Sequence, residues 1–154
     1  MWRALRQILF LGLLIVACSA NGATEGRVIK VLPQFLDLKG RVALSPSLYD
    51  RDAYQAYLRQ HPAERSGLRF MVLWKAGVAK GTPLKLRVEM RGDAHGKPSI
   101  DKTLEQEVTT GTFRRWTSLT LSGEDFKKLG EITAWRVTLW NGEQLVGEQK
   151  SFLW

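Results

Sequence analysis

LKLRVEMR, residues Leu84–Arg91, alternates apolar and charged side chains at eight successive positions. Successive side chains of a β-strand point to opposite faces, so this pattern predicts a strand with one face in the core and one in water. The residues predicted to point inward are Leu84, Leu86, Val88 and Met90. The segment therefore predicts a half-buried strand, which is typical of an antiparallel sheet.

The segments on both sides of this strand also predict β-structure. Leu68–Lys75 (LRFMVLWK) is apolar at nearly every position, as is typical of a strand covered on both faces. Asn141-Gly142, between Ile132–Trp140 and Glu143–Leu153, is a dipeptide typical of a tight β-hairpin turn. Further strand candidates, each bounded by turn-forming residues, are Arg27–Leu32, Phe35–Leu44, Lys102–Thr109 and Arg114–Leu121.

Two short helices are predicted between these strands. Asp50–Gln60 brings Tyr54, Tyr57 and Leu58 onto one helical face. Ser122–Asp125 resembles a capping box, which predicts that a short helix begins there.

About eight short strands separated by turns predict two packed antiparallel sheets. Trp116–Trp140 resembles the later strands of immunoglobulin-like domains: a strand with Leu119 and Leu121, a turn, and an aromatic-led strand at Trp135–Leu139. The disulfide of antibody domains is absent. The resemblance implies a mainly β fold, a single immunoglobulin-like antiparallel β-sandwich with one or two short helices. A small, lipocalin-like β-barrel is the alternative.

The N-terminal segment has the three parts of a secretory signal. Arg3 and Arg6 precede the apolar run Ile8–Val16, and small or polar residues follow. The run is shorter than the roughly 20 residues that a membrane-spanning helix needs. Ile15-Val16-Ala17-Cys18 resembles the lipobox of bacterial lipoproteins. This resemblance implies cleavage before Cys18 and attachment of lipid to its thiol.

This interpretation divides the chain into a signal peptide (residues 1–17), the lipidated Cys18 with a short tether (residues 18–26), and one β-sandwich domain (residues 27–154). Ser19 follows the cysteine in place of an acidic residue. In lipoproteins of bacteria with two membranes, this implies release to the outer membrane, facing the periplasm or the cell surface. An ordinary secretory signal cleaved after Ala20 or Ala23 is the alternative.

Residues that would support a metal site are scarce. Cys18 is the only cysteine in the chain, so the domain has no disulfide, no thiolate metal site and no cysteine nucleophile. His61 is expected to meet the carbonyl end of a helix. Asp93 and His95 give two ligands where zinc needs three or four. We therefore predict no metal and no cofactor.

Catalytic and adhesive motifs are equally weak. Glu105 and Glu107 share one face of a predicted strand and are interpreted as a solvent-facing pair, although two carboxylates are the minimum for a glycosidase. Arg91-Gly92-Asp93 is interpreted as turn chemistry after a strand and not as an adhesion motif. We predict no catalytic residue and no enzymatic activity.

Charge and aromatic residues suggest what the protein binds. The net charge of +8 falls to about +6 without Arg3 and Arg6, and the basic residues are dispersed along the chain. An exported protein of this kind is expected to meet anionic glycans or an envelope protein, not nucleic acid. Trp140 and Trp154 are candidate ligand-binding residues, because exposed aromatic rings stack on sugars. The tryptophans predicted to lie in the core are Trp74, Trp116 and Trp135.

These features predict a non-enzymatic cell-envelope protein that contacts the membrane through its N-terminal lipid and acts as a binding or scaffolding module. A carbohydrate- or cell-wall-binding module is a more specific alternative. An envelope hydrolase is the other.

Overall fold

The strand predicted from LKLRVEMR spans Pro83–Asp93 and lies inside the larger of two antiparallel sheets. A computed structural model describes residues 25–93 and 100–154 of the chain. The strands are β1 (Gly26–Asp37), β2 (Arg65–Ala76), β3 (Pro83–Asp93), β4 (Ile100–Thr109), β5 (Arg115–Ser122), β6 (Glu131–Asn141) and β7 (Gln144–Lys150). The helices are α1 (Leu48–Gln60), α2 (Gly123–Leu129) and a 3-10 turn, Pro62–Glu64.

The two sheets form a β-sandwich, as predicted. One has the strand order β1-β2-β5 and the other β4-β3-β6-β7, with antiparallel pairing throughout. In immunoglobulin constant domains the fourth strand belongs to the same sheet as the first and second strands. Here β4 pairs instead with β3, which gives sheets of three and four strands.

The core lies between the inner faces of these sheets. Leu86, Val88 and Met90 of β3 are completely buried, as the alternation predicts. Phe70 and Val72 of β2 are their buried counterparts on the facing sheet. Among the described residues, the buried members of this core cluster lie between Val28 and Val146.

The first strand differs from the prediction. Two strands were expected, at Arg27–Leu32 and Phe35–Leu44, but β1 runs without interruption through Pro33 and ends at Asp37. β1 is an edge strand, where a proline without an N–H is tolerated. The prediction of a strand up to Leu44 is wrong, because the Asp37 carboxylate accepts the backbone N–H groups of Lys39 and Arg41 and turns the chain.

The helix α1 lies where it was predicted, but the side chains that pack it against the sheet are different from those predicted. Leu58 is buried, whereas Tyr57 of the predicted apolar face is exposed. The second buried residue is Gln55. Its side-chain amide accepts the Phe35 N–H at 2.8 Å and donates to the Phe35 carbonyl at 2.9 Å. Gln55 thus occupies the free edge of β1 as a neighbouring strand would.

The helix α2 also lies where it was predicted, although its cap does not form. Ser122 is the N-cap residue, yet its side chain makes no capping hydrogen bond. Phe126 and Leu129 anchor the helix in the core, and Gly130 ends it with a φ of 72°. The predicted capping-box contact is therefore wrong, while the helix is correct.

The C-terminal hairpin forms with its turn one residue later than expected. Asn141 pairs with Gln144, so Gly142 and Glu143 are the central residues, and Gly142 has a φ of 57°. The second strand was predicted to continue to Leu153. This prediction is wrong, because β7 ends at Lys150.

Candidate ligand-binding face

The outer face of the four-stranded sheet brings together both tryptophans proposed from the sequence. The charged residues of β3 point outward along this face, opposite to its buried residues. Trp140 of β6 pairs with Lys85 at one end of β3. Trp154 lies against Arg91 at the other end. We call this surface, from Lys85 and Trp140 to Arg91 and Trp154, the four-strand face.

Trp140 is half-buried beside the hairpin turn. Its indole N–H donates to the Thr138 hydroxyl at 2.9 Å, which fixes the orientation of the ring. The Arg87 guanidinium lies 5.6 Å from the ring centroid, within the range of a cation–π contact. A shallow depression of about 270 Å³ adjoins the ring, lined by Lys85, Arg87, Trp140, Gly142 and Glu143.

Trp154 reaches the same face because the chain turns after β7. The Ser151 N–H donates to the Trp135 carbonyl, and the Trp135 N–H donates to the Ser151 hydroxyl, both at 2.9 Å. This turn places the Trp154 ring 4.3 Å from the Arg91 guanidinium and 5.0 Å from that of Arg136. Trp140 lies beside Lys85 and Trp154 beside Arg91, six residues further along β3. The two rings are therefore on the order of 20 Å apart.

The charges on this face are already paired. Arg87 donates to Glu105 at 2.6 Å, and its hydrogen bond lowers the pKa of that carboxyl. Arg136 holds both oxygens of Glu89, at 2.8 and 3.1 Å, and this hydrogen bonding raises the pKa of the guanidinium. The face therefore presents fixed, charged donors and acceptors around two aromatic rings, with little excess of one sign.

The other tryptophans divide between core and surface. Trp74 is buried and donates to the Thr117 hydroxyl, and Trp135 packs edge-on against Phe70 at 6.3 Å, so these two belong to the core as predicted. The prediction for Trp116 is wrong, since this residue is 48% exposed on the outer face of the three-stranded sheet. It is separated from the inward residue Leu119 by three positions, so strand alternation already indicated the opposite face.

Several other predicted residues have no part in this face. Cys18 and His95 lie outside the described residues. The His61 ring stacks on Tyr57 at 3.9 Å, and its Nδ1 lies 2.8 Å from the Tyr57 carbonyl, at the end of α1 as predicted. Within residues 25–93 and 100–154, no group of three or more His, Cys, Asp or Glu side chains is placed to hold a metal.

The Arg91-Gly92-Asp93 segment differs from its interpretation as a turn. It forms the last residues of β3, and Gly92 is buried beneath α2. A Cβ atom at this position would lie 2.0 Å from the Leu129 carbonyl oxygen. The glycine is therefore required by the close approach of strand and helix.

No protein-family model, curated protein or solved structure shows significant similarity to this chain. None of the described helices is long and apolar enough to cross a bilayer.

Proposed function

We propose that the protein is a non-enzymatic, lipid-anchored binding module of the bacterial cell envelope, held at the outer membrane through Cys18. In this proposal the four-strand face binds a glycan strand of the envelope. The lipobox resemblance supports the anchor. The start of β1 at Gly26, beside the predicted tether, is compatible with it.

The observation that carries the ligand proposal is the position of Trp140 and Trp154 on one face, each beside an arginine. Two aromatic rings on the order of 20 Å apart along a strand direction suit an extended ligand better than a compact one. Aromatic rings contribute to binding because they offer large, rigid contact area, and they are enriched among the residues that dominate binding energies.

The charge pairing indicates which kind of glycan fits. Arg87 and Arg136 are bound to carboxylates, so general attraction to a polyanion is weak at this face. Each guanidinium has five N–H donors, more than its carboxylate partner uses, so donors remain for ligand hydroxyls. This combination favours a neutral or weakly acidic sugar chain, read by stacking and hydrogen bonding, over a strongly anionic one.

Co-sedimentation with purified cell-wall sacculi tests the proposal. Trp140→Ala and Trp154→Ala are each expected to weaken binding about tenfold, the effect of removing one aromatic anchor. Trp116→Ala is the matched control, because it removes an exposed tryptophan from the opposite sheet.

The outcomes separate the candidate ligands. Binding of the wild type with a loss confined to positions 140 and 154 supports the glycan proposal. A wild type that does not sediment with sacculi contradicts it, as does an equal loss with Trp116→Ala. Capture of a specific envelope protein through the four-strand face would identify the partner as a protein instead.

A further inference from the structure

One end of the sandwich carries the start of the described chain. β1 begins there at Gly26, β2 ends there at Ala76, and β5 begins there at Arg115. The loops 77–82 and 110–114 and the hairpin turn of β6 and β7 complete this end, which we call the tether end. Its two loops are joined through Thr110, whose N–H donates to the Thr82 carbonyl at 3.1 Å and whose hydroxyl donates to the Ala79 carbonyl at 2.6 Å.

The tether end carries five exposed basic side chains. Arg27 pairs with Lys75 across β1 and β2, and Arg115 begins β5 on the other side of β2. Exposed cations at this end, none of which lies within ion-pair distance of a carboxylate among the described residues, are Arg27, Lys75, Lys80, Arg114 and Arg115. The tether end thus differs from the four-strand face, whose arginines are paired.

Exposed apolar groups lie among these cations. Phe113 projects from the loop before β5 and is 79% exposed. Ile29 is 38% exposed and helps to line an open groove of about 600 Å³ together with Arg27, Lys75 and one acidic residue, Glu25. An aromatic side chain next to two consecutive arginines, Arg114 and Arg115, combines the two features that bind a protein to the surface of an anionic bilayer.

We propose that the tether end docks onto an anionic membrane surface, with Phe113 inserted at the interface and the surrounding cations bound to phosphate headgroups. The inference rests on the proposed function and deepens it, because β1 begins at this end and the predicted tether, residues 18–26, joins it to the lipid proposed on Cys18. Such docking would direct the strands away from the bilayer. Trp140 would then lie near the membrane and Trp154 farther from it.

The test uses the full chain carrying Phe113→Cys, isolated from a bacterial envelope and labelled with a polarity-sensitive dye. The dye must react only at position 113. In the acylated chain the lipid blocks the Cys18 thiol, and in an unacylated chain the substitution Cys18→Ala removes it. The labelled protein is combined with phosphatidylcholine vesicles that contain or lack phosphatidylglycerol. We expect a blue shift of the dye emission, with quenching by spin-labelled lipid, only in the anionic vesicles. High salt should reverse both, because it screens the headgroup charges.

Charge reversals supply the matched control. Lys75→Glu with Arg114→Glu is expected to abolish the blue shift, since each cation near an anionic surface contributes about fivefold to binding. Lys39→Glu with Lys128→Glu changes the net charge equally at the opposite end of the sandwich and should leave the shift intact. Equal dye emission in the two kinds of vesicle, or equal loss with both pairs, would overturn the proposal.

Failure of this proposal and failure of the anchor are distinguishable. The mass of the N-terminal residue reports whether Cys18 is acylated, whatever the dye shows. An unacylated chain that still floats with anionic vesicles, but not with neutral ones, would support docking and contradict the anchor.

Discussion

At the residue scale, the clearest contrast is between neighbours on β3. Leu86 is completely buried in the core, whereas Arg87 lies on the four-strand face with Glu105 and Trp140. Leu86→Ala is expected to lower the free energy of unfolding by about 2–5 kcal/mol, because it removes buried methyl groups and leaves a cavity. Arg87→Ala should cost at most about 1 kcal/mol, the usual value of an exposed ion pair.

Denaturant unfolding of both variants measures this difference. Equal destabilisation at positions 86 and 87 would contradict the inward and outward assignment of the strand. An unchanged m-value in both variants is needed for the comparison, because a changed m-value would show an altered denatured or native state or a loss of two-state unfolding.

Asp37 is the residue with the most distinctive electrostatics. Its carboxylate accepts hydrogen bonds from the backbone N–H groups of Lys39 and Arg41, the Arg41 guanidinium and the Tyr54 hydroxyl, all at 2.8–2.9 Å. Burial alone raises the pKa of this carboxyl, but the hydrogen bonds outweigh burial and bring the pKa to about 2. The ionised form therefore stabilises the turn that ends β1.

The depressed pKa predicts a pH-dependent contribution to stability. Ionised Asp37 should add roughly 2 kcal/mol to the free energy of unfolding above about pH 4, and this contribution should disappear as the pH falls towards about 2. Asp37→Asn should lower stability at neutral pH and reduce its loss in acid. Asp52→Asn, at an exposed carboxylate, is the control. Identical pH profiles for wild type and Asp37→Asn would contradict the assignment.

At the element scale, Gly92 determines how α2 packs on β3. A methyl group there would overlap the Leu129 carbonyl and side chain, so Gly92→Ala must displace the helix. We expect a loss of about 1–3 kcal/mol, as for other overpacked sites. Gly111→Ala is the control, because the nearest atoms to its added Cβ belong to the flexible side chain of Arg115. Equal melting temperatures for Gly92→Ala and wild type would contradict this packing.

The elements were predictable where their pattern is local. LKLRVEMR predicted β3 and its buried face because strand alternation depends only on neighbouring residues. The way in which α1 covers the free edge of β1 was not predictable. The contact joins Gln55 to Phe35, 20 residues away in the chain, and it is made by a polar residue that the apolar pattern of the helix does not include. The hairpin turn is displaced by one residue because Asn141 pairs with Gln144. The dipeptide Asn141-Gly142 predicts that a turn is present, but it does not determine which residues pair across it.

At the scale of the whole molecule, the sequence predicted the sandwich but only part of the candidate site. Trp140 and Trp154 were predictable as candidate ligand-binding residues from the sequence. Their presence on one face depends on the pairing of β3 with β6 and on the turn at Ser151. The cations of the tether end are dispersed in sequence and come together only through the strand order. A site built from several strands is therefore harder to predict than the strands themselves.

The central claim is that this sandwich is anchored to a membrane by lipid on Cys18, and metabolic labelling with a fatty acid tests it most directly. We predict that wild type and Ser19→Ala incorporate the label and partition into a detergent phase, whereas Cys18→Ala does neither. A wild-type protein that is exported, soluble and unlabelled would contradict the claim.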